Sequence, residues 1–190
     1  MDDKAKDILQ EYRSSNAEGR LNIMMANFYV FPKMIRKMEM KTRYRIKSER
    51  EYLRSKARRE LGVRVQKSDI SKPTEEEAIA NVTLEEAFKT GVIDTGILKG
   101  IEGASDYEAN IRIISVMRMD FELLEEIIED LNDEDSKWVK EYLGKEKQLK
   151  EIALDQGKTY IAVRRRYAKI REEIRDEILD CLEMNCRGGE

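Results

Sequence analysis

Residues Gln148 to Arg171 read QLKEIALDQGKTYIAVRRRYAKIR, with Ala153, Gly157 and Val163 ahead of three consecutive arginines, Arg164, Arg165 and Arg166. From Lys158 to Arg171 there are six Lys/Arg and no acid. Guanidinium groups on one helix face can fork onto a guanine edge or grip phosphate oxygens. If Val163 and Tyr167 point inward, then Thr159, Tyr160, Ile161, Arg164, Arg165 and Ala168 point outward. That surface could enter a major groove, with Lys158, Arg166 and Lys169 left to hold phosphates. The spacing alone also fits a second reading, an ordinary helical corner whose arginines are solvated.

Groove reading needs two helices crossing at a fixed angle, and the flanking residues supply them. Asn132 or Asp133 can cap a helix with an acidic first turn, as the helix dipole favours. It is expected to run to about Leu143, burying Trp138, Val139 and Tyr142, and to stop at Gly144. A second helix, Gln148 to Gln156, carries Leu149, Ile152 and Ala153. Gly157 permits a left-handed turn, and Thr159 can cap a third helix that places Val163, Tyr167 and Ile170 inward. A small residue at the crossing (Ala153), a glycine at the bend and a branched residue on the second helix (Val163) are the requirements of a helix-turn-helix.

Other chemistry finds few residues to work with. The 190-residue chain contains no histidine, so the commonest general base at neutral pH is missing. Cys181 and Cys186 are the only cysteines, too few for a four-ligand zinc site within one chain. They read as free thiols near a fraying C-terminus, or as an intermolecular disulfide or a site shared between subunits. There is no nucleophile elbow, phosphate-binding glycine loop or metalloprotease helix. The expectation is therefore a non-enzyme with no cofactor and no metal. Charged residues make up 39% and aromatics 7%, which favours helices with large solvated faces. No stretch has the roughly 18 apolar residues that span a bilayer, and the acidic N-terminus lacks a signal peptide's basic start and apolar run. A cytoplasmic protein without membrane contact is expected.

Net charge is −3, but it is sorted into blocks. Lys33–Lys67 holds 14 bases and 4 acids, Asp120–Asp135 holds 9 acids and no base, and Glu172–Glu190 holds 7 acids and 2 bases. Such asymmetry points to nucleic acid, an oppositely charged partner, or internal pairing. Residues 3–13 predict a short helix with Ile8, Leu9 and Tyr12 on one side, broken by SSNAEG. After an apolar run from Leu21, Pro32 opens a long basic helix to Leu61 that stops at Gly62 and carries Ile35, Met38, Ile46 and Leu53. Between Val63 and Ser105 one short helix is expected, capped by Ser71 or Thr74, and then an irregular, mobile loop with glycines at 91, 96, 100 and 103. Ile114, Met117, Phe121, Leu124, Ile128 and Leu131 then recur at steps of 3, 4, 3, 4 and 3. This is a heptad seam. Its partner could be the basic helix, another chain or a plain bundle, and Glu122, Glu125, Glu126 and Glu129 flank it to face a basic neighbour.

The segment LNDEDSKWVKEYLGKEKQLKEIALDQGKTYIAVRRRYAKIREEI resembles the last DNA-binding region of bacterial sigma factors, with its EIA helix, glycine turn and arginine-rich recognition helix after a valine. Upstream, VQKSDISKPTEEEAI is similar to the Ser/Asp-Pro-Thr segment of sigma-like late-gene regulators of phages and prophages, the RinA/ArpU type. The match covers about 45 residues at the C-terminus and about 15 upstream. The positions flanking the glycine, usually apolar in the family, are Gln156 and Lys158 here. No segment resembles the promoter-melting region of sigma factors, so the resemblance implies an accessory regulator.

Together these readings predict an all-α protein. Residues 1–131 would form a coiled-coil-like N-terminal helical hairpin with an irregular insert at 63–106, and 132–190 a sigma-like helix-turn-helix domain. The function expected is sequence-specific binding of double-stranded DNA as a phage or prophage transcription regulator, an activator of late genes. The resemblance implies an RNA polymerase contact, for which the acidic 120–135 block is a candidate surface, and a homodimer is allowed. The alternatives are the DNA-recognition subunit of a packaging terminase and a helical protein-interaction module.

Overall fold

The computed structural model describes residues 2–60 and 71–187, with side chains from Ile8 onward except around the 61–70 gap and at the C-terminal end. The protein is all-α: the described residues form eight α-helices and one 3-10 turn, with no strand. These are α1 (Asp2–Ser14), α2 (Ala17–Asn27), α3 (Phe31–Glu60), α4 (Ser71–Thr90), α5 (Ala104–Asp130), α6 (Asp133–Leu143), α7 (Leu149–Asp155) and α8 (Tyr160–Arg187). None of them is long and apolar enough to cross a membrane. The chain divides into two units, Met1–Ile35 with Met117–Glu190, and Arg36–Val116.

The first unit is built on α8. Its inward positions, Val163, Ile170, Ile174, Ile178 and Leu182, follow helical spacing and are buried. Helix α2 lies against it with Leu21 and Met24, beginning at Asn16, whose side chain accepts from the Gly19 N–H at 2.9 Å. The break between α1 and α2 is thus a helix cap, in the stretch where the sequence placed it. The heptad seam of α5 is buried from Ile114 through Met117, Phe121 and Leu124 to Ile128. Leu131 falls beyond the last turn of α5 and is half-buried. Phe121 packs between Phe28 and Phe31, with ring centroids at 5.2 and 5.3 Å.

Charge enters this core at Asp120 and Arg20. Asp120 is fully buried, accepting from the Tyr12 hydroxyl at 2.7 Å and the Asn185 amide at 2.6 Å. Arg20, also buried, stands 3.6 Å from the same carboxylate and 5.1 Å from the Tyr12 ring centroid. Burial pushes the Asp120 carboxyl up, and the bonds from Tyr12 and Asn185 and the Arg20 charge only partly offset it. The cluster joins α1, α2, α5 and α8 through polar contacts that tolerate little displacement.

The second unit differs from the expected irregular insert. Helix α4 is 20 residues long, with Pro73 in its first turn, where the missing N–H costs nothing. Ala80, Leu84, Ala87 and Phe88 recur at helical spacing and are buried, which is why the helix continues to Thr90. Gly91, at φ +75, ends it. Residues 91–103 are irregular, as expected, but Ile93, Ile97, Leu98 and Ile101 are buried, so this is a packed segment and not a loose loop. Asp94 caps its 3-10 turn by accepting from the Gly96 N–H at 2.8 Å. On α3, Met38, Thr42 and Ile46 are buried, Leu53 half-buried, and Glu49 accepts from the Tyr107 hydroxyl of α5. Leu61, Gly62 and the side chains of Ser71 and Thr74, expected as helix stop and caps, lie outside the described residues.

Candidate nucleic-acid interface

Three short connections aim the start of α8. Asn132 caps α6, accepting from the Asp135 N–H at 3.0 Å. Helix α6 ends as a Schellman motif: the Lys145 N–H bonds to the Tyr142 carbonyl at 3.1 Å and the Glu146 N–H to the Glu141 carbonyl at 2.9 Å. Gly144 does stop this helix, but in right-handed geometry; the left-handed residue is Lys145, at φ 60. Gly144 is needed for closeness, since a Cβ there would stand 2.8 Å from the Lys140 carbonyl oxygen.

Helix α7 starts with Glu151 accepting from the Gln148 N–H at 2.7 Å, half of a capping box. It buries Leu149, Ile152 and Ala153. Its end repeats the Schellman pattern, with the Gly157 N–H on the Leu154 carbonyl at 3.1 Å and the Lys158 N–H on the Ala153 carbonyl at 2.9 Å. Here the left-handed residue is a glycine, Gly157, at φ 62. Residues 156–159 thus connect α7 to α8, the two helices pack on each other, and Ala153 and Val163 are both buried. Gln156 is half-buried and Lys158 exposed, so polar residues fit the flanks of the glycine because neither is enclosed. Thr159 caps α8, accepting from the Ala162 N–H at 3.2 Å.

The residues expected to face outward do so. Thr159, Tyr160, Ile161, Arg164, Arg165 and Ala168 are all exposed, Ile161 by 62%. At 3.6 residues per turn, positions 160, 161, 164, 165 and 168 span an arc of about 140°. Arg164 and Arg165 have no ion pair or hydrogen bond among the described residues. The three cations assigned to phosphate are placed differently. Lys158 pairs with Glu134 at 3.1 Å and Lys169 with Glu173 at 3.3 Å, both exposed pairs. Arg166 is drawn to Asp135, donating from Nε at 3.0 Å and from a terminal nitrogen to the same oxygen. The other Asp135 oxygen accepts from the Trp138 indole N–H at 3.0 Å. Tyr167, expected inward, is half-buried against Trp138 and Tyr142, with ring centroids at 6.2 and 4.8 Å, and burial pushes its hydroxyl up to about 12.

Sequence reading did not find Asp135 and Glu134 as partners of the basic run. Their only local signal was an acidic first turn, which the helix dipole already explains. The cysteines lie on the last turns of α8 as free, half-buried thiols, with Cys186 4.0 Å from the Ser15 carbonyl oxygen, so the helix continues through them where fraying was expected. The fold is an all-α one with an exposed, partly unpaired basic face at the start of its longest C-terminal helix. Compared with protein-family models, curated proteins and solved structures, the chain matches none.

Proposed function

We propose that the protein binds double-stranded DNA, with α7 and α8 acting as a helix-turn-helix whose second helix enters the major groove. The observation that carries this reading is the outward face of α8. Among the described residues Arg164 and Arg165 stand unpaired between Tyr160, Ile161 and Ala168, while Val163 and Ile170 anchor the opposite face. Arg164 and Arg165 contact base edges or phosphates. Thr159, Tyr160 and Ile161 meet the groove wall, and Ala168 allows close approach. Lys158 and Lys169 exchange weak surface pairs for phosphate oxygens at little cost. Arg166 shares its charge between Asp135 and the nearby backbone of the DNA.

The resemblance to sigma-like late-gene regulators supports a role in phage or prophage transcription, as an activator acting with RNA polymerase in the cytoplasm, alone or as a homodimer. Selection of bound duplexes from a random library by the full chain tests the reading. A recovered consensus, with binding lost in Arg164→Ala/Arg165→Ala, is expected. Enrichment of no sequence and no duplex binding at low salt would refute it.

A further inference from the structure

The outer face of α3 carries a second pattern. Arg36, Met40, Tyr44, Lys47, Glu51 and Arg54 follow one another at steps of 4, 4, 3, 4 and 3, giving a single stripe about 27 Å long that is cationic except at Glu51. The opposite face, Met38, Thr42 and Ile46, is buried in the second unit, so the stripe faces outward. Tyr44 is 74% exposed and Met40 64%. Arg36, Lys47 and Arg54 have no ion pair or hydrogen bond among the described residues. Beside the stripe, between α3 and α4, lies an open cavity of about 390 Å³ lined by Tyr44, Lys47, Ser48, Arg54 and Asn81. Glu51 and Glu77 also line it, so two acids stand among its cations.

We propose that this stripe and cavity bind single-stranded nucleic acid, separately from the face of α8. A strand offers two things together: phosphates for Arg36, Lys47 and Arg54, and free base faces for Tyr44. Stacking on an exposed aromatic ring beside a cationic track is how single strands are held without sequence reading. A closed duplex has no free base face for Tyr44. The cavity is large enough for one base, with Ser48 and Asn81 available as hydrogen-bonding partners. A membrane surface would need a continuous apolar face, and on α3 that face is committed to the core.

The test uses the full chain and a fluorescein-labelled oligothymidylate about twelve residues long, within the usual site sizes for single strands. Binding is expected with a salt slope of about 2, as three neutralised phosphates give. Tyr44→Ala should weaken it by roughly five- to a hundredfold, Tyr44→Phe should retain it, and an abasic strand of equal length should bind like Tyr44→Ala. Arg164→Ala/Arg165→Ala should leave oligothymidylate affinity unchanged, which separates this proposal from the duplex reading. The proposal is overturned if no strand binds at low salt, if the abasic strand binds as well as oligothymidylate, or if only the α8 variant loses the strand. It is equally overturned if Tyr44→Ala and Lys47→Ala instead abolish a concentration-dependent dimer or binding to anionic vesicles.

Discussion

Arg166 and Asp135, 31 positions apart, form a two-donor contact on one carboxylate oxygen, so one of three consecutive arginines locks α8 onto α6 while its two neighbours stay open. Burial works against an ionised Asp135, but bonds from Arg166, Asn132 and Trp138 outweigh it and hold the carboxyl below the usual carboxylate range. The run Arg164–Arg166 therefore divides by role and not by sequence.

Substituting the arginines should separate binding from stability. Arg164→Ala and Arg165→Ala should leave the unfolding free energy within about 0.5 kcal/mol of wild type and each cost about 1–3 kcal/mol in duplex affinity where a base is contacted. Arg166→Ala should cost about 1–2 kcal/mol of stability by removing charged hydrogen bonds. Denaturant unfolding and fluorescence anisotropy on the three variants give the comparison. Equal stability losses for all three would contradict the division.

The pH dependence of that loss follows from the lowered Asp135 pKa. A carboxylate with a folded pKa below its unfolded value stabilises the fold above the unfolded value, about 4, and loses that contribution as pH falls through the folded one. The stability gap between wild type and Arg166→Ala should hold from neutral pH to about 4 and narrow below it. A gap that widens on acidification would show the pair is not formed.

Asp120 behaves with the opposite sign. Its raised folded pKa means that the folded state binds the proton more tightly, so this group adds stability as pH falls from neutral toward about 4. Asp120→Ala should remove that trend and cost about 3–5 kcal/mol, because Arg20 is left as a buried charge without its partner. Arg20→Met in the same chain should recover part of the loss. Calorimetry across pH would reveal both effects, and an additive double variant would rule out the pairing.

The two Schellman motifs offer a matched pair. Lys145→Gly should raise stability by up to about 1 kcal/mol, since lysine is strained at φ 60. Gly157→Ala should lower it by about 1–2 kcal/mol for the same reason, although no atom lies within 4 Å of the new methyl. Opposite signs in thermal unfolding are the expected readout.

In the seam, Phe121→Ala and Leu124→Ala should each cost about 2–5 kcal/mol, as truncations of fully enclosed side chains do. Chemical denaturation curves indistinguishable from wild type would mean the seam packs against nothing.

By itself the sequence determined most of the helices and their faces, though not α2 or the length of α4. The heptad steps of α5, the Asn132 and Thr159 caps, the glycine turn at 157 and the outward set on α8 are local, set by 3.6-residue periodicity and short-range hydrogen bonds. Even the buried Asp120 was legible in principle, since it stands three residues after Met117 and four before Leu124, on the inward arc. Partnership was not legible. That Arg166 meets Asp135, that Arg171 reaches Asn22 and Arg175 reaches Glu18, and that α2 lies along α8 all depend on residues distant in the chain. In a protein with 39% charged residues, many opposite charges could pair, and exposed pairs differ too little in energy for sequence to choose among them. Packing made the choice: once the apolar stripe of α8 seats against α2 and α7, Arg166 lies beside Asp135, and Arg164 and Arg165 are left facing solvent.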